Sequence, residues 1–112
     1  MPGKRAGREA LFGRRWVHVF EEDTAQGAVY RPQDGPIPLS RRPREHIELS
    51  SDGSARFFAP GPDDRPVERT ATWIEVNNAL VVRTDEGDAE IRIVEWSPER
   101  LVVQAHGGGS AP

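Results

Sequence analysis

Trp16, His18 and Phe20 share one parity of the stretch "WVHVFEED", so an extended chain would carry an imidazole between two aromatic rings on a single face. Two chemistries suit such a histidine. It can be a neutral space-filler that bonds a backbone carbonyl or the Tyr30 hydroxyl, or a proton donor and acceptor for a bound molecule, since a histidine ordinarily titrates near pH ~6.5. A metal role has less to build on, because His18, His46 and His106 show no paired ligand spacing. His46 alternates with Ile47 and Leu49, which turns it toward solvent, and His106 adjoins the glycine-rich C-terminus. No metal and no cofactor is expected.

Charged residues on apolar parity form the second cluster. A carboxylate or guanidinium facing a core must be paired or shifted in pKa. Glu45 shares its face with Ile47 and Leu49, Arg42 and Arg44 stand beside it, and Glu22 shares the face of Trp16 and Phe20. These residues make either an internal arginine–carboxylate cluster or exposed rim pairs worth roughly 0–1 kcal/mol each. In "GPDDRP", Asp64 suits a turn cap and Arg65 a pair across a rim. The aromatic set Trp16, Phe20, Phe57, Phe58, Trp73 and Trp96 suits a core or a ligand cage.

The elements that must position these groups are strands. Short runs of Val, Ile, Thr and aromatics recur between Gly, Pro, Asp and Asn, which predicts strands at 16–22, 28–31, 44–49, 55–59, 69–76, 79–84, 89–96 and 100–105. The turns at 51–53, 77–78, 86–88 and 97–99 are too short for parallel crossovers, which need about a dozen residues. The fold expected is all-β: a single eight-stranded antiparallel up-and-down barrel, closed by pairing of 16–22 with 100–105. Alternation predicts that Ile47, Leu49, Ile74, Val76, Leu80, Val82, Ile91, Ile93, Leu101 and Val103 face inward, and that His46, Glu48, Arg92 and Val102 face outward. The barrel would occupy residues 13–106, with a flexible N-terminal arm at 1–12 and a disordered tail at 107–112. In a meander the longer connections 32–43, 60–68 and 85–88 gather at one end with Trp16, His18, Tyr30 and Arg44, while Glu21, Glu22 and Asp23 lie at the other.

Composition narrows the function. A chain of 112 residues with 36% hydrophobic content fits one domain. A net charge of -3 gives no electrostatic reason for a nucleic-acid or membrane partner. Lys4 is the only lysine among 15 basic residues, so arginine forks are the main cations for pairing. Zero cysteines exclude disulfides and thiolate metal sites. The chain has no phosphate-binding glycine loop and no nucleophile elbow. It also lacks an apolar run of secretory or membrane-spanning length, and the expected location is cytoplasmic.

The segments "GRRW", "EED", "VYRP", "SRRPRE", "GPDDRP" and "TATW" together resemble small bacterial lipocalin-like domains over about residues 13–104. The positions carrying the resemblance are Glu22, Asp23, Tyr30, Arg31, Pro32, Ser40, Arg41, Arg44, Asp64, Arg65, Pro66 and Trp73. Gly13 and Trp16 are separated by two residues where lipocalins have one. The resemblance implies a barrel with one mouth and an N-terminal segment plugging the other end, with the mouth at the short-turn end; loop lengths favour the long-loop end instead.

The leading functional expectation is a cytoplasmic barrel that binds a small, partly apolar organic molecule, with an anionic or carbonyl group near Arg44 and His18. Its candidate ligand-binding residues are Trp16, His18, Phe20, Tyr30, Arg44 and Trp73, and the chain would be a monomer or homodimer. The alternative is a cofactor-free isomerase, cyclase or lyase in which His18 and Tyr30 move a proton. A third reading is a filled barrel that acts through its outer surface.

Overall fold

The computed structural model describes residues 8–60, 66–87 and 89–105. The strands are β1 Arg15–His18, β2 Ala28–Pro32, β3 His46–Leu49, β4 Ser54–Pro60, β5 Pro66–Val76, β6 Ala79–Thr84, β7 Glu90–Ser97 and β8 Arg100–Ala105. Every strand pair is antiparallel, and the sheet closes into an eight-stranded barrel in the order β1-β2-β8-β7-β6-β5-β4-β3. Closure leaves no unpaired sheet edge. No described helix is long and apolar enough to cross a membrane.

From β3 to β8 the strands follow in sequential hairpins, as the short turns predict. At the β5–β6 turn, Asn77 and Asn78 take φ of 51° and 67°, the left-handed pair whose twist suits a two-residue hairpin. The seam differs from the expected pairing of 16–22 with 100–105. It is β2 that pairs with β8, Tyr30 opposite Leu101, while β1 lies between β2 and β3 with Val17 opposite Arg31 and His46. Since β2 and β3 both run antiparallel to β1, they run parallel to each other, and the chain must return along the barrel between them. Residues 33–45 have the length such a crossover needs. Val17, although turned outward by parity, is buried, so the outer face of β1 is covered. This long connection therefore runs along the wall instead of gathering at one end.

Strand β1 is also shorter than predicted. It stops at His18 because the chain tightens into a 3-10 turn at Phe20–Glu22, with Glu22 N–H donating to the Val19 carbonyl and Asp23 N–H to that of Phe20. Glu21, Glu22 and Asp23 consequently lie at the same end as His18, not opposite it.

Alternation places Ile47, Leu49, Leu80, Val82, Ile93, Leu101 and Val103 in the core, with Ile91 packed against it. Strand β5 has the opposite parity from the prediction: Ile74 is 60% exposed and Val76 half-buried, while Ala71 and Trp73 face inward. The indole decides that register. Trp73 stands opposite buried Val82, stacks on Phe12 at 5.4 Å, and donates its ring N–H to the Ser50 carbonyl at 2.7 Å. In β7 a bulge between Ile93 and Glu95 shifts parity and returns Trp96 to the interior. On the outer face, Val102 opposite Val29 is buried with it, and His46, Glu48 and Arg92 are half-buried, so the outward residues are less solvated than alternation alone predicts.

One end of the barrel is stoppered. Arg8–Leu11 forms a 3-10 turn, and Leu11 is 0% exposed. The Leu11 carbonyl accepts the Trp16 ring N–H at 3.1 Å, and Gly13 N–H donates to the Leu49 carbonyl at 3.1 Å. Residues 1–7 and the expected tail lie outside the described residues. Leu11→Ala should destabilise the chain by about 2–5 kcal/mol in urea unfolding, as for other buried leucines, and a loss well under that range would show that the stopper contributes little. Gly27→Ala should also cost more than about 1 kcal/mol, because its Cβ would run into the Val103 carbonyl oxygen and its φ of 153° is strained for an L side chain.

Candidate functional site

At the end away from the stopper, three strands set a row of interior-parity residues. His18 stands opposite Tyr30 of β2, and on its other side its N–H donates to the Glu45 carbonyl at 2.9 Å. Further round the sheet, Phe57 of β4 pairs with Ile47 of β3, and Arg69 of β5 with Phe57. These residues border a pocket of about 230 Å³ lined by Tyr30, Glu45, His46, Ile47, Phe57, Arg69, Thr84 and Ile91, with Phe58, Ala59 and Ala89 on its wall. Small side chains help make the space. Ala59 and Ala89 stand at the pocket, where larger side chains would fill it.

His18 lies at the rim beside Tyr30 and is not one of the pocket walls. Its ring stacks on Tyr30 at 5.0 Å and 22° and meets Phe20 edge-on at 6.0 Å. Its Nε2 lies 3.0 and 3.1 Å from the two Asp23 carboxylate oxygens, and its side chain is 20% exposed. Asp23 is fixed in turn by accepting the Val29 N–H at 2.9 Å. Tyr30 therefore gives His18 a ring face, not the hydroxyl partner that the sequence suggested. Burial pushes the Tyr30 phenol well above its ordinary value, and the nearby negative charges of Glu45 and Asp23 add to the effect.

Arg44 does not reach for a ligand. Its side chain is 8% exposed, and its guanidinium makes a bidentate pair with Glu21 at 2.8 and 2.7 Å. It also donates to the Pro38 carbonyl at 2.8 Å and the His18 carbonyl at 3.0 Å. Phe20 lies beneath it at 4.5 Å and beneath Arg42 at 4.3 Å. Arg44 thus ties the crossover to the 3-10 turn, and of the two readings for the charged cluster the structure takes the rim pairs. Glu22 pairs with Arg31 at 2.8 Å, not with Arg44. The guanidinium of Arg44 holds the Glu21 carboxyl at about 2, well below its ordinary value of 4.5.

The remaining predicted site residues separate. Trp16 is fully buried in the floor, tied to the stopper through its ring N–H, and Trp73 is at the stoppered end, so neither lines the pocket. Asp63, Asp64, Arg65 and His106 lie outside the described residues. Sequence reasoning missed Asp23 as the partner of His18, because an unbroken strand to Glu22 would have held them apart. It also missed Arg69, whose shared parity with Ala71 and Trp73 was the available signal. Among the described residues no group of three or more His, Cys, Asp or Glu could hold a metal ion.

The Glu21 carboxyl titrates lower in the folded chain than its ordinary value, so its pair with Arg44 stabilises the fold above about pH 4.5 and is lost as pH falls toward 2. Glu21→Gln should lower the melting temperature near neutral pH, and the gap from the parent chain should close across that acid window. A gap that stays constant with pH would show that the ion pair is not what the substitution removes.

Comparison with protein-family models, with curated proteins and with solved structures gives no match to this chain.

Proposed function

We propose that this protein binds a small, partly apolar organic molecule in the unstoppered end of its barrel. The observation that carries the reading is the pocket of about 230 Å³ behind Tyr30 and Glu45, walled mainly by apolar side chains with a few polar groups. At the ~30 Å³ that a water molecule occupies in the liquid, this is room for roughly seven or eight water-sized groups. The ligand is accordingly smaller than the drug-sized molecules that fill pockets of about 300–1,000 Å³. A closed eight-stranded barrel with its N-terminal segment packed into one end supports the lipocalin-like reading in architecture. The placement of β1 between β2 and β3 is a departure from sequential strand order.

Acid–base catalysis at the rim beside this pocket is a second reading, favoured by one contact: Asp23 fixes the His18 ring through Nε2. Turnover lost in His18→Phe with binding retained would select it.

Binding is tested by saturation-transfer NMR against fragments of about ten non-hydrogen atoms or fewer. At roughly 0.5 kcal/mol per atom, an eight-atom fragment should bind with Kd on the order of 1 mM. Ile91→Trp fills the pocket and should weaken binding at least about tenfold, or ~1.4 kcal/mol, while keeping a cooperative melt. Equal binding to the parent and the filled variant, or no binding at all, would overturn the proposal.

A further inference from the structure

We propose that the ligand of this pocket is a small organic cation, an ammonium group on a single-ring or short alkyl body, with its charge at Glu45 and its apolar part against Tyr30 and Phe57. The inference rests on the binding reading above and goes beyond it by assigning the ligand's charge. Three arginines at this end are engaged by carboxylates. Arg31 is held by Glu22 at 2.8 Å, Arg44 by Glu21 at 2.7 Å, and Arg69, which lines the pocket, by Glu86 at 2.9 Å. Arg42 stands over the Phe20 ring beside the same Glu21.

Glu45 is the exception. Glu45 lines the pocket, yet among the described residues its side chain makes no hydrogen bond or ion pair. It is exposed at the rim, so water solvates it while the pocket is empty. A ligand that covers it removes that water, and a charge deprived of water without a new partner is costly. A neutral ligand leaves the cost uncompensated, and an anion adds repulsion from Glu45 and from Asp23. A cation offsets it. The negative field at this spot is felt by Tyr30, whose phenol is raised by burial first and then by Glu45 and Asp23. The walls suit the same ligand, because the faces of Tyr30 and Phe57 attract an ammonium group as well as an apolar body.

The test compares three probes of nearly equal size by NMR titration of the full chain: benzylammonium, benzyl alcohol and benzoate. Benzylammonium should bind about tenfold tighter than benzyl alcohol, with benzoate weakest, and added salt should narrow the difference. Glu45→Gln should erase the difference between benzylammonium and benzyl alcohol, weakening the first and, with the uncompensated carboxylate gone, leaving the second as tight as before or tighter. Glu45 is exposed, so the variant should melt like the parent. Benzyl alcohol or benzoate binding as tightly as benzylammonium to the parent would overturn the charge assignment and leave the pocket reading standing. An unaltered benzylammonium affinity in Glu45→Gln would overturn the role of Glu45. No binding by any probe would overturn both.

Discussion

The molecule depends on ring closure through β1, whose residues Arg15–His18 are hydrogen-bonded to β2 on one side and β3 on the other. Without this short strand, β2 and β3 would each present an open row of amides and carbonyls, which is costly to leave unpaired and invites association. Placing it there makes β2 and β3 parallel and so requires the crossover at 33–45. The same placement brings Tyr30 of β2, His18 of β1 and Glu45, the last residue of the crossover before β3, side by side. Arg44 then secures the arrangement from outside, joining the crossover at the Pro38 carbonyl to the 3-10 turn at Glu21.

The two ends of the barrel differ in how they are filled. Toward the stopper, Leu11, Phe12, Trp16, Trp73 and Trp96 supply large side chains, and the indoles of Trp16 and Trp73 find carbonyl acceptors for their ring N–H groups. Toward the other end the small Ala59 and Ala89 stand at the pocket, with polar Glu45, Arg69 and Thr84 around it. Close packing at one end and missing volume at the other follow from the same alternating pattern with different residue sizes. Arg31, Arg44 and Arg69 are tied to carboxylates, and among the described residues that line the pocket Glu45 is the carboxylate left without such a partner.

The strands were legible because β-branched runs between turn residues state them directly; β6 and β8 fall at the predicted residues 79–84 and 100–105. The seam was not, because a 3-10 turn at Phe20–Glu22 reads as the end of a strand, and whether a long loop caps a barrel or crosses its wall depends on pairing that no local pattern encodes. Register in β5 was ambiguous for a similar reason: Ile74 and Val76 alternate as well as Ala71 and Trp73 do, and the choice is made by Val82, Phe12 and Ser50 elsewhere in the chain. At the site, the parity of His18 with Tyr30 and of Glu45 with Ile47 could be read from the sequence. The engagement of Arg44 by Glu21 and of His18 by Asp23 could not, since both pairs depend on where β1 stops.

The central claim is that the barrel accepts a small molecule at the Tyr30–Glu45 end and is solid at the other. Backbone amide shift mapping during titration with benzyl alcohol tests it most directly. The account predicts changes concentrated at Tyr30, Ile47, Phe57, Thr84 and Ile91, with Ser50, Trp73 and Trp96 unmoved. Changes centred on Ser50, Trp73 and Trp96, or spread evenly over the outer face, would contradict it.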